Sequence, residues 1–177
     1  MRILVLDQDS QLGHALTALL SRHPEVEWRG VGAEALAASP AQVARLIADY
    51  APGYVINAHS IELAEVPDGL DKAHVRLIKS YCKAARDSNA AFVHLSSALV
   101  FNGAKGTAFF EDDRPKPRGT VSRRLTELEQ VVIRQLEHHL ILRSGWLFGP
   151  HGRGAFHSFL RGLERGAEIR FEPSIDG

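Results

Sequence analysis

A chain of 177 residues is long enough for one sizeable core, since folding at this length buries roughly 70% of the surface the unfolded chain exposes. Twenty-one basic residues balance 21 acidic ones, so no net field selects nucleic acid, an anionic membrane or an acidic partner. One cysteine, Cys82, excludes an internal disulfide, no apolar stretch approaches the ~20 residues of a membrane span, and Met1-Arg2 runs straight into a strand, so the expected location is the cytoplasm.

In chain order, the apolar run Ile3 to Leu6 predicts a strand, and apolar residues at helical spacing from about Gln11 to Arg22 predict a helix after it. Val26 to Val31 reads as a second strand and Pro40 to Tyr50 as a second helix. Gly53 to Asn57 is a third strand, followed by a long helix from roughly Asp71 to Ser88 and a fourth strand, Ala91 to Ser96. A loop rich in Gly, Asp, Lys and Pro, Asn102 to Gly119, leads to a helix near Ser122 to Leu136 and a fifth strand, Leu140 to Arg143. A helix near Gly154 to Arg165 and a strand around Ile169 to Phe171 complete the pattern. Continuous apolar strands alternating with helices imply an α/β fold, a doubly wound parallel sheet in a single domain over residues 1–177.

The turn "LDQDSQLG" lies between the first strand and the first helix, where a nucleotide-binding protein would place glycines that let backbone N–H groups approach a phosphate. Only Gly13 is a glycine. Nine histidines raise the question of a metal, but none forms an i, i+4 helical pair, and the adjacent His138 and His139 diverge on a helix, so no metal is expected. Cys82 reads as a small packed side chain, and Arg123, Arg124, Glu127 and Glu129 as the charged outer face of an amphipathic helix whose apolar face is Leu125, Leu128, Val132 and Leu136.

The segments "MRILVLDQDSQLGHAL", "YVINAHS", "FVHLSSALVFNG", "EDDRPKP" and "LILRSGWLFGPHG" resemble, in order and spacing, the dTDP-4-dehydrorhamnose reductases, a branch of the extended short-chain dehydrogenases. The resemblance covers essentially the whole chain. It implies a Rossmann-like fold and an activity that reduces a nucleotide-linked 4-keto sugar with NAD(P)H. By the same resemblance, Ser10, Gln11, Leu12, Gly13, Asn57, Ala58 and Ser96 stand at cofactor-facing positions, and Ser97, Thr120 and Arg124 at the positions of the catalytic Ser/Thr, Tyr and Lys.

The departures from the family pattern bear on chemistry. Its three turn glycines correspond to Asp7, Ser10 and Gly13, and a carboxylate beside a pyrophosphate is repulsive. Val31 falls where a ribose-reading residue is usual. Thr120 is a far weaker acid than a phenol, Arg124 cannot be deprotonated, and Ala98-Leu99 replaces the usual Asp-Tyr. Ser97 either polarises a substrate carbonyl or satisfies loop backbone, Asn57 either touches cofactor or serves the turn, and Trp146 and Phe148 line a cleft or pack in the core.

These substitutions suggest a pseudoenzyme: a degenerate homologue with no NAD(P) or only weak NAD(P), binding a nucleotide or sugar nucleotide and serving a protein partner or a second copy in a regulatory role. The alternative is an active NAD(P)H-dependent reductase of rhamnose biosynthesis. The family's C-terminal substrate lobe has no counterpart here, which predicts exposed apolar surface.

Overall fold

The computed structural model describes residues 1–59, 72–145, 147–149, 151 and 155–166. Five parallel strands, β1 (Arg2–Leu6), β2 (Glu27–Val31), β3 (Tyr54–Asn57), β4 (Ala91–Ser97) and β5 (His139–Ser144), form one sheet in the order β2-β1-β3-β4-β5. The helices are α1 (Gln11–Leu20), α2 (Ala33–Ala38), α3 (Pro40–Tyr50), α4 (Lys72–Asp87), α5 (Gly119–Gln135) and α6 (Ala155–Glu164). The chain leaves β1 for β2 on one side and returns to β3 on the other. In sheets of this kind the order reverses where ligands usually sit, which here is beyond the carboxyl ends of β1 and β3.

Strand alternation divides the core in two. Leu4, Leu6, Val55 and Phe92 face Val43 and Ile47 of α3, Ile78 and Tyr81 of α4, and Leu125 and Val132 of α5. Ile3 and Val5 point the other way, with Leu12, Leu16 and Leu20 of α1. On that second face the register continues through Val93 and Leu95 to Leu140 and Leu142, which stay 53% and 46% exposed on β5. Apolar side chains are therefore partly exposed on this strand.

Two elements escaped the sequence reading: the short α2 and a single 3-10 turn, Ala98–Val100, directly after β4. Helix α5 also begins at Gly119, ahead of the expected start. The strand expected at Ile169 to Phe171 lies outside the described residues. Cys82 is buried, and burial pushes its thiol up to about 12, which leaves it packed and inert.

Glu129 corrects the reading of α5 as a helix with an all-charged outer face. It is fully buried and takes a bidentate pair from Arg143 of β5, at 2.9 Å on each oxygen, while Ser96 of β4 donates to it at 2.6 Å. The pair pins α5 across the last two strands. Removing one partner leaves an uncompensated buried charge, so Glu129→Ala should cost about 3–5 kcal/mol in urea unfolding. Glu129→Leu combined with Arg143→Met should recover much of that loss.

Candidate functional site

The carboxyl end of the sheet is shaped by the turn between β1 and α1. Asp7 sits at φ 62°, a left-handed conformation that a β-carbon penalises and that the glycine of the family pattern would adopt freely. Ser10 is the N-cap of α1. Its Oγ accepts from the Gly13 N–H at 3.0 Å, and its own proton has two carbonyl acceptors, Asp7 at 2.8 Å and Ala58 at 2.9 Å. An N–H group that a phosphate could take at this helix end is thereby used by the chain itself. Gly13 is obligatory here, because a β-carbon would stand 2.1 Å from the Asp7 carbonyl oxygen.

The end of β2 meets the same turn. Val31, at the ribose-reading position, is buried, and its carbonyl accepts from the Gln8 N–H at 3.0 Å. Glycines on either side of it admit the turn's side chains: a β-carbon on Gly30 would fall 1.9 Å from Gln8 Oε1, and one on Gly32 would fall 2.5 Å from Asp9 Oδ2. The Asp9 carboxylate then accepts from Ala33 N–H at 2.9 Å, at the amino end of α2. Both helix ends that border the turn are thus capped by its own side chains.

The Asp7 carboxylate does not face the α1 amino terminus as an open charge. It is buried and accepts from His59 Nδ1 at 2.6 Å, and His59 Nε2 lies 3.0 Å from His74 Nε2 on α4. Beside this chain, Asn57 Nδ2 donates to His94 Nδ1 at 2.9 Å. A polar layer then continues through Ser96 and Glu129 to Arg143. Sequence spacing hid the histidine pair, since 15 residues separate the β3 loop from the first turn of α4.

Of the cofactor-facing candidates, Ser10, Gln11, Leu12, Gly13, Asn57 and Ala58 gather at the ends of β1 and β3. Gln11 is buried and close enough to the Gly149 backbone that a β-carbon there would lie 3.0 Å from its amide nitrogen. Leu12 packs beneath, in the cluster with Ala58. Ser96 belongs to the Glu129 pair instead. Ser97 Oγ accepts from Leu99 N–H at 3.2 Å and so caps the 3-10 turn.

Thr120 is exposed in the first turn of α5, and Arg124 pairs with Glu127 along the same helix. The face of α5 that carries Glu129 to the sheet holds Leu125 one turn earlier and buried Ser122 two turns earlier, with Val121 half-buried beside them, so it presents hydrocarbon and one aliphatic hydroxyl. All three tyrosines are placed elsewhere: Tyr50 ends α3, Tyr54 begins β3 at the sheet's amino end, and Tyr81 is buried in α4, where desolvation pushes its phenol up to about 12. Phe148 is exposed, and Trp146 lies outside the described residues.

His94 carries a pH signature. Burial holds its imidazole down to about 4, against a smaller upward pull from Glu129 and a downward one from His59. The unfolded chain therefore binds a proton that the folded chain refuses between pH 6.5 and 4. Stability from this group is complete above pH 6.5 and falls by about 3 kcal/mol as pH drops to 4. His94→Gln should flatten that slope in denaturant titrations run across the window.

Comparison with known proteins agrees with this architecture. Residues 1–172 match the family described as the RmlD substrate binding domain. A probable dTDP-4,6-dihydroxy-2-methyloxan-3-one 4-ketoreductase from Streptomyces antibioticus is 28% identical, covering 96% of this chain and 59% of that protein. A dTDP-4-dehydrorhamnose reductase from Aggregatibacter actinomycetemcomitans is 27% identical over 90% of this chain and 56% of its own length. The chain thus spans less than three-fifths of these curated relatives. The dTDP-4-dehydrorhamnose reductase of Bacillus anthracis, solved with NADP, superposes with a TM-score of 0.79 at 19% identity, over 94% of this chain and 61% of that one. By the match along residues 1–172, the chain belongs to the RmlD substrate binding domain family, among homologues of the dTDP-4-dehydrorhamnose reductases.

Proposed function

We propose that this chain is a non-catalytic member of its family, a Rossmann-like domain that binds a nucleotide or sugar nucleotide without carrying out NAD(P)H-dependent reduction. The observation that carries the reading is the self-capped turn: Ser10 takes the Gly13 N–H, and Asp9 takes the Ala33 N–H. A phosphate here competes with these caps for the Gly13 and Ala33 N–H groups, which leaves it those of Gln11 and Leu12 in the first turn of α1. Dinucleotide binding is therefore weak or absent, and Ser10, Gln11, Leu12, Gly13, Asn57 and Ala58 border a site for a smaller ligand. The role that follows is regulatory, exercised on a protein partner or within a homo-oligomer.

The proton relay supports the same reading from a second direction. A ketone reduced by hydride needs an acid within hydrogen-bond reach of its oxygen, and such an acid contributes 10²- to 10⁴-fold, roughly 3 to 5 kcal/mol. Thr120 is exposed and aliphatic, Arg124 is engaged with Glu127, and Ser97, whose Oγ accepts from the Leu99 N–H, is an aliphatic alcohol far less acidic than a phenol. Buried Tyr81 has no hydrogen-bond partner among the described residues and holds its proton in the core.

The expected outcome is no NAD(P)H oxidation with dTDP-4-dehydrorhamnose, followed at 340 nm by absorbance. Thr120→Tyr with Arg124→Lys should restore none of it unless Asp7 and Ser10 are also changed to glycine. A thermal-shift series with nucleotides and nucleotide sugars should show a concentration-dependent rise for at least one of them, because a ligand of the folded state stabilises by mass action. Robust turnover by the unchanged chain would refute the reading.

A further inference from the structure

Helices α4 and α5 cover the face of the sheet opposite α1, and the seam between them holds a groove of about 570 Å³. Half-buried Gln130 and Gln135 line it, and exposed Lys79, Arg123, Glu127 and Arg134 edge it. The chain as a whole carries no net charge, yet three cations and one anion meet here. That anion, Glu127, is already neutralised by Arg124, which does not line the groove. Lys79, Arg123 and Arg134 pair with no carboxylate among the described residues, and the amides of Gln130 and Gln135 make no hydrogen bond among them. The groove is therefore positive along its rim and carries unused amide groups inside.

Its dimensions select the shape of an occupant. Arg123 and Arg134 both belong to α5, and their spacing brings the helix round to within about 20° of the same direction, about 16 Å further along its axis. A guanidinium takes a carboxylate through two parallel N–H bonds, while a glutamine amide offers the donor and the acceptor that a peptide backbone needs. Extended peptide advances about 3.3 Å per residue, so acidic side chains four positions apart lie on one side of it about 13 Å from each other. The long arginine side chains cover the remaining difference. From this arrangement we propose that the α4–α5 groove docks an extended acidic peptide segment of a partner protein, its carboxylates held by Arg123 and Arg134 and its backbone by Gln130 and Gln135. Lys79 adds its charge from the α4 side. The occupant rests on the partner-directed role proposed above, and the groove gives that role a surface separate from the β1–α1 turn.

The test is fluorescence anisotropy of a fluorescein-labelled peptide of Ser, Thr and Gly carrying two glutamates four positions apart, titrated with the purified, tag-free chain. The peptide should bind, and more weakly as salt rises. Arg123→Gln and Arg134→Gln should each weaken it about threefold to tenfold, and Arg123→Glu combined with Arg134→Glu should abolish it, with circular dichroism verifying the fold. Glutamines in place of the two glutamates should cost at least about tenfold, and glutamates placed side by side should also bind more weakly. Arg45→Glu, exposed on α3, should change nothing. No binding by the unchanged chain, equal binding of all three peptides, or an equal loss in Arg45→Glu would overturn the site. A dimer seen by sedimentation that excludes the peptide and dissolves in the double reversal would overturn it too, by giving the groove to a second copy. The thermal-shift series with nucleotides reads the β1–α1 end separately, so either site can fail without the other.

Discussion

Everything at the mouth of this sheet depends on how the β1–α1 turn satisfies itself. A glycine-rich turn leaves its N–H groups pointing outward until a phosphate arrives. Here Ser10 closes the turn by capping Gly13 and tying it to Asp7 and Ala58, the last of these on the neighbouring strand connection. Asp7 then accepts a left-handed backbone, and its carboxylate is drawn inward to His59 rather than left at the helix terminus. The glycines of "RGVGAE" belong to the same arrangement, since they make room for Gln8 and Asp9. The loss of turn glycines is thus matched by compensating contacts.

A second constraint fixes what the opposite wall can offer. The buried pair between Glu129 and Arg143 sets the rotation of α5 about its axis, and with it the residues that share the Glu129 face. Those residues are Ser122 and Leu125, with Val121 half-buried beside them, so that face offers hydrocarbon and one aliphatic hydroxyl but no phenol. Thr120 and Arg124 lie one position away, where a helix turns each side chain about 100° aside. Neither a tyrosine nor a lysine stands at these positions of α5.

Much of the architecture was legible because it rests on periodicity. The β1, β3 and β4 runs are apolar enough to be read as buried parallel strands, and α4 and α5 show their buried faces plainly. Helix α2 and the 3-10 turn were not legible, since neither is long enough to carry a period. Glu129 misled for a related reason: a charge on an amphipathic helix reads as solvated unless its partner is known, and Arg143 lies on another element. The direction of the Asp7 carboxylate and the meeting of His59 with His74 are tertiary facts of the same kind. Local spacing could identify the missing glycines, but not the side chains that took over their hydrogen bonds.

The central proposal is that the self-capped turn binds a dinucleotide weakly or not at all, and calorimetric titration of NADPH and NADH into the chain tests it directly. The account predicts no saturable heat up to roughly millimolar cofactor, where the binding free energy would be only about −4 kcal/mol. Saturation in the micromolar range by either cofactor would contradict it and would mean that Ser10 and Asp9 release their caps to a ligand.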